Sequence, residues 1–515
     1  MTKGRRRRGL AVLAVVAVLA TGCAGDDDPE ADDPTPEPTA ATEQPSPAPD
    51  SDRSNVAAYH DQTIDWSECG DYQCGSVEVP MDYDDPSGAT VEIQLKRAPA
   101  ESKDPIGTMF VNPGGPGASG VDYLESFAPQ MSDEVLDNYD IIGFDPRGVA
   151  ESDPLVCLDD AELDELVAYD PDPDTPDEVT KATELARGLG EACADAGELS
   201  AHMSTEEVAR DLDILRAVVG DKKLTYYGAS YGTYIGATYA ELFPERVGRV
   251  VLDGAIDPAL SSVELNLQQV AGFQTAVEAY IDDCVGSGAC PLGSDPDTAM
   301  DRLIEFLDGL DQEPLETNDP ERPLTQSLGF YGVALPLYSQ DLWPYLTQGL
   351  SDALEDGDGS VLLGFADTYL SRTPNGYSDN SAQVISAVNC LDHPVDLTTE
   401  QIEQSESRYE QASPVFGRIF AWSMLTCSQW PIQPEQSAPE IDGAGAAPIV
   451  VVGTTRDPAT PYRWAEALAG ELQSGVLVSR DGDGHTGYHM GNACVDDAID
   501  AYFVQGTVPE DGLSC

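Results

Sequence analysis

The chain has 515 residues, 41% of them apolar and 23% charged. That supply of apolar residues can close a sizeable core, so disorder throughout is excluded. Asp and Glu number 93 against 26 Lys and Arg, a formal net charge of −67. So acidic a surface repels phosphate backbones and anionic headgroups, and no nucleic-acid partner is expected.

Lys3 and Arg5 to Arg8 form a basic start, followed by an unbroken apolar run from Leu10 to Ala20. The run is shorter than the ~20 residues a bilayer-spanning helix needs. Residues 1–22 therefore read as a signal peptide. The tetrapeptide Ala20-Thr21-Gly22-Cys23 resembles a bacterial lipobox, which would make Cys23 a lipidated first residue; cleavage without lipidation is the alternative. Residues 24–55 are rich in Asp, Glu, Pro, Thr and Ala and hold no aromatic. Burial cannot offset the ordering entropy of such a segment. Residues 23–58 are expected to form a disordered acidic tether. A body so tethered sits outside the cytoplasmic membrane, facing the cell wall, and touches the membrane only through its anchor; secretion is the other outcome.

Cysteines 69, 74, 157, 193, 284, 290, 390, 427, 494 and 515 remain, an even number in an exported chain. They read as five disulfides. Sequence does not fix the connectivity; pairing neighbours along the chain is the simplest arrangement. No CxxC pair occurs, and the histidines do not cluster with the cysteines, so no metal is expected.

Apolar runs recur through the body, each closing on a turn: Thr108–Val111, Tyr139–Phe144, Leu224–Tyr227, Val250–Leu252, Ile449–Val452 and Val476–Ser479. Runs this continuous fit parallel strands covered on both faces. Helical patterns such as Thr205–Val219 and Tyr231–Leu242 alternate with them. The alternation predicts an α/β chain with an open, mostly parallel sheet, its functional residues at the carboxyl ends of the strands. Residues 258–439 break the rhythm, with helical periodicity at Leu265–Cys284 and Thr298–Leu310 and no comparable strands. The expected division is a core over 59–257, a large helical cap over 258–439, and a returning core over 440–515.

Gly228-Ala229-Ser230-Tyr231-Gly232 matches GxSxG between a predicted strand and a predicted helix. Small flanking residues permit a strained turn that lifts the Ser230 hydroxyl above the sheet. A serine needs a base, and on such a sheet the partners follow in the order Ser, acid, His. Asp457 and His485 each stand just beyond a late apolar strand. His489 competes with His485, but the glycines before His485 favour a loop at a strand end. One oxyanion donor would be the N–H of Tyr231. The other falls within Asn112–Gly117, where Pro113 and Pro116 lack an N–H. Gly115 is the preferred donor and Gly114 the alternative.

Together NPGGPG, DPRG, GASYG, TRDPATPYRWA and DGDGH resemble the α/β-hydrolase peptidases related to proline iminopeptidases, above all their secreted or lipoprotein tripeptidyl aminopeptidase branch in actinobacteria. The resemblance runs from about Trp66 to Cys515. Where proline iminopeptidases carry HGGPG, this chain has Asn112-Pro113-Gly114-Gly115-Pro116-Gly117, which argues against strict proline specificity. The resemblance implies an α/β-hydrolase fold and release of short peptides, tripeptides among them, from the free N-termini of peptides or proteins. The catalytic residues implied are Ser230, Asp457 and His485, acting through an acyl-enzyme without cofactor. The family shows a similar cysteine-containing segment followed by Asp, so Asp392, after Asn389-Cys390-Leu391, is a candidate for binding the substrate amine. Arg147 of DPRG reads equally as a structural or a functional arginine. A carboxylesterase or lipase using the same triad is the alternative function.

Overall fold

The computed structural model describes residues 55–434 and 439–515. The leader, Cys23 and the tether up to residue 54 lie outside them. The body opens earlier than expected, at a short 3-10 helix over Val56–Asp61 that buries Tyr59 in the main core.

The described residues hold twelve strands in chain order: β1 (Ser67–Cys69), β2 (Tyr72–Pro80), β3 (Thr90–Ala98), β4 (Gly107–Asn112), β5 (Tyr139–Phe144), β6 (Leu224–Ala229), β7 (Val247–Asp253), β8 (Arg372–Thr373), β9 (Gly376–Tyr377), β10 (Ile449–Arg456), β11 (Gly475–Asp483) and β12 (Leu513–Ser514). All but β8 and β9 join one sheet, ordered β1-β2-β3-β5-β4-β6-β7-β10-β11-β12. Pairings from β1 to β5 through β2 and β3 are antiparallel; those from β5 onward are parallel. The sheet is therefore mostly parallel, with an antiparallel edge that the apolar runs did not reveal.

Burial on both faces explains the continuous apolar strands. In β10, Ile449 and Val451 face one helical layer while Val450 and Val452 face the other. The first layer includes the helices Thr205–Val218, Tyr231–Leu242 and Tyr462–Glu471, and the second Gly120–Phe127, Asp133–Asn138 and Ala493–Gln505. A layered arrangement of this kind leaves the carboxyl strand ends free for function.

Between β7 and β10 the described residues hold eight α-helices, from Ser262–Ser287 to Gly417–Ser428. Seven of them share a separate core that includes Phe273, Tyr280, Leu303, Leu328, Leu346 and Phe416, whereas Ser381–Asp392 packs Val384, Val388 and Leu391 into the main core. Leu163 and Val167 belong to this core as well, although their helix, Asp160–Ala168, precedes β6. The cap thus draws on two excursions from the sheet. Disulfides join Cys69 to Cys74, Cys157 to Cys193, Cys284 to Cys290, Cys390 to Cys427, and Cys494 to Cys515.

Candidate active site

Ser230 stands directly between β6 and the helix Tyr231–Leu242, with φ 54° and ψ −125°. This conformation is costly for a residue with a Cβ and persists only where its surroundings enforce it. Here they do. The Ser230 N–H donates to the Asp253 carbonyl at 2.8 Å, and the Ser230 carbonyl accepts from the Thr233 N–H at 2.8 Å and the Thr233 hydroxyl at 2.6 Å.

Asp457 is the first residue after β10, and its side chain is wholly buried. Oδ1 accepts from the Ala459 and Thr460 N–H groups at 3.0 and 2.8 Å, and Oδ2 from the Thr486 N–H at 3.1 Å. His485 Nδ1 lies 2.9 Å from both carboxylate oxygens. These donors aim the carboxylate, and the carboxylate in turn fixes the tautomer with hydrogen on Nδ1. His485 Nε2 is buried with no hydrogen-bond partner. Burial opposes the imidazolium, but the charges of Asp457 and Asp253 outweigh it and hold the His485 pKa above its ordinary 6.5.

The histidine loop is gripped from both sides. The His485 N–H donates to the Tyr338 carbonyl in the cap at 2.9 Å, and the Tyr338 ring meets the imidazole edge to face at 5.3 Å. From below, Asp253 at the end of β7 accepts from the Gly487 and Tyr488 N–H groups at 2.8 and 2.9 Å and from the Tyr227 hydroxyl at 2.9 Å. Burial pushes the Asp253 carboxyl up to about 6. Sequence reasoning passed over Asp253 because an aspartate before glycine at a strand end reads as an ordinary turn. Thr460 was passed over too; its hydroxyl lies 3.3 Å from His485 Nδ1.

Two glycines compete for the second oxyanion donor, and the side chain of Asn112 separates them. Its Oδ1 accepts the Gly114 N–H at 2.9 Å, so that N–H is already engaged. Gly115 is exposed and lines the same cavity as Ser230 and Tyr231. As the first residue of its helix, Tyr231 has an N–H without an intrahelical acceptor. Gly114, with φ +93°, presses against this turn: a Cβ there would meet the Tyr231 nitrogen at 2.7 Å and Ser230 Cβ at 3.0 Å.

The Ser230 cavity measures about 450 Å³, a size typical of small-ligand sites. Phe273, Phe330, Tyr331, Tyr338, Tyr369 and Phe420 of the cap form much of its wall, and Thr460 reaches it from the core. His393 also lines it, stacked on Tyr234 at 5.5 Å. No Asp or Glu occurs among the described lining residues.

Other candidates fall elsewhere. His489 packs between Phe127 and Tyr488, with its pKa lowered by burial, and does not bond Asp457. Arg147 is fully buried, paired through two nitrogens to Asp211 at 2.8 and 2.7 Å, and donates to the carbonyls of Pro80, Met81 and His202. That is a structural clamp between β2 and the helix Thr205–Val218. Asp392 lines a second cavity with Thr205, Glu207 and Arg210, not the one that holds Ser230. Its oxygens accept from the Thr205 N–H at 2.8 Å, the Thr205 hydroxyl at 2.5 Å and the Tyr231 hydroxyl at 3.4 Å.

The sheet order, the serine turn after β6 and the acid–imidazole pair beyond β10 and β11 are those of an α/β-hydrolase. Residues 413–515 match the family described as TAP-like protein. Over 478 residues the chain is 38% identical to serine protease Hip1 of Mycobacterium tuberculosis, covering 88% of this chain and 91% of that protein. It is 38% identical over 461 residues to carboxylesterase B of the same species, covering 88% of each. It is 31% identical over 469 residues to tripeptidyl aminopeptidase of Streptomyces lividans, covering 88% and 86%. The chain belongs to the TAP-like family of α/β-hydrolases.

Proposed function

We propose that this protein is an extracytoplasmic serine exopeptidase that releases short peptides, tripeptides among them, from free N-termini. Family membership makes it a serine hydrolase with peptidases among its relatives. The observation that carries the reading is the imidazole of His485, bound to Asp457 through one nitrogen while the other stays buried and unpaired. With the Nδ1 side of the ring held by Asp457, Nε2 keeps the lone pair that a general base needs. Here it is ready to take a hydroxyl proton.

In this mechanism His485 Nε2 accepts the Ser230 proton as the serine oxygen attacks the scissile carbonyl carbon. Asp457 stabilises the imidazolium that results. The N–H groups of Gly115 and Tyr231 hold the tetrahedral oxyanion, one such donor being worth about 2.7–4 kcal/mol. His485 then returns the proton to the leaving amine, and water releases the acyl group by the same roles reversed.

Five disulfides suit an oxidising compartment, and the leader with Cys23 supports a lipid-anchored body facing the cell wall. One observation favours a second reading: the relative named carboxylesterase B is as similar as the protease. Matched peptides with free and acetylated N-termini, alongside a simple ester, separate the two. An exopeptidase cleaves the free-amine peptide and spares the acetylated one. Ester turnover with neither peptide cleaved would overturn the exopeptidase reading.

A further inference from the structure

The cap helix Ser381–Asp392 touches the core at three places, two of which adjoin the proposed oxyanion donors. Near its start, the Asn380 amide donates to the carbonyls of Gly148 and Leu155 at 2.8 and 2.9 Å and accepts from the Ala150 N–H at 2.9 Å. One turn on, Val384 packs against the donor loop; a Cβ on Gly117 would lie 3.2 Å from Val384 Cγ1. At its end, Asp392 holds Thr205, and the Thr205 hydroxyl holds both Asp392 and the Tyr231 hydroxyl. The Cys390–Cys427 disulfide ties this end to the next-but-one cap helix, Gly417–Ser428.

Tyr231 is the residue through which this matters. Its backbone N–H is the proposed oxyanion donor, and its side chain is 94% buried between the Asp392 group and Tyr234, whose ring it meets at 6.3 Å. Fixing the ring and hydroxyl of Tyr231 fixes the first turn of its helix and hence the direction of that N–H. Electrostatic stabilisation of a developing oxyanion depends on donors fixed before the reaction starts.

From this we infer that Asp392 is a positioning residue, by which the cap holds Tyr231 in register with Ser230, rather than a ligand for the substrate amine. The inference rests on the serine-hydrolase mechanism above but not on the nature of the substrate. The lining of the Ser230 cavity agrees with it: Asn389 and His393, on either side of Asp392 in sequence, reach that cavity, and Asp392 does not.

The test uses two substrates on the full-length protein: a tripeptide anilide with a free amine, and p-nitrophenyl acetate, which has none. Asp392→Ala is expected to lower kcat on both by about 10-fold with KM unchanged, a fraction of the 10²–10³ that follows loss of a whole donor. Asp392→Asn, whose amide oxygen can still accept from Thr205, restores most of the loss. Thr205→Val and Tyr231→Phe, which remove only hydroxyls, are expected to behave like Asp392→Ala, and their combination with it to lose no more than the larger single effect. Thermal unfolding of each variant separates misfolding from misalignment. A rise in KM for the peptide with ester hydrolysis unchanged would return Asp392 to amine binding and overturn the inference. Unchanged kinetics on both substrates, or strictly additive double variants, would overturn it too. Because the ester arm needs no amine, it tests Asp392 even if no peptide is cleaved.

Discussion

The sheet's carboxyl edge and the helical cap handle polar groups in opposite ways. At the edge, backbone supplies most of the contacts: Asp457 accepts three N–H groups, Asp253 two, and Ser230 is pinned through its own N–H and carbonyl. In the cap, side chains supply the wall, and rings from several helices converge on one cavity. Backbone contacts survive many substitutions, whereas a wall of side chains changes with each one. The comparison teaches that chemistry is built into strand ends while selectivity is left to a part that can vary.

Substitutions at the edge should therefore reduce turnover on every substrate. The largest loss is expected for Ser230→Ala, about 10⁶-fold in kcat, equal for ester and peptide when both are followed by product release. Asp457→Asn comes next, at about 10⁴-fold, and it carries a pH signature. His485 must be neutral to accept a proton, and its pKa lies above 6.5. In the native protein kcat/KM is lost as pH falls through that raised value. The Asp457→Asn profile should have its acid limb moved downward, because the largest favourable charge is gone; an unmoved limb would mean that another group sets it. Gly114→Ala, which drives a Cβ into the Tyr231 nitrogen, should follow, at about 10²-fold in kcat, comparable with loss of one oxyanion donor.

Substitutions in the aromatic wall of the cap should divide the substrates, whereas loss of the Asp392 contact, which acts through Tyr231, should not. Replacing Cys390 and Cys427 by Ser opens a closure of 37 residues, worth about 3–4 kcal/mol of stability in the chain-entropy view. A lower unfolding temperature is expected, with KM for a tripeptide substrate raised several-fold and ester turnover reduced only a little. An equal loss on both substrates would mean that the disulfide acts through Asp392 and Tyr231 rather than through the cavity wall.

The two regions also differ in how far the sequence discloses them. The edge was legible because its signals are local. GASYG sits between an apolar run and a helical pattern, and Asp457 and His485 each follow an apolar strand. Asn112 and Asp253 escaped, since their roles depend on bonds to Gly114 and to the Tyr488 loop that no spacing announces. The antiparallel β1 to β3 escaped because their half-buried residues lack a continuous apolar run. In the cap, periodicity gave the helices Ser262–Ser287 and Pro296–Gln312 to within a few residues. It could not say which face looks into the cavity. Asp392 drew notice beside a cysteine, yet Asn389 and His393 are the ones that reach the Ser230 cavity, a difference of one turn or less along the same chain. Leu163 and Val167 show the same limit, joining a core whose other members lie about a hundred residues or more further on.

In the proposed mechanism Asp457 and His485 make the hydroxyl of Ser230 reactive toward acyl carbon. Reaction of the full-length protein with a fluorophosphonate, followed by mass mapping of the modified peptide, tests it most directly. A single adduct on Ser230 that His485→Ala abolishes is the predicted result. An adduct on another residue, or labelling of Ser230 undiminished in His485→Ala, would contradict it.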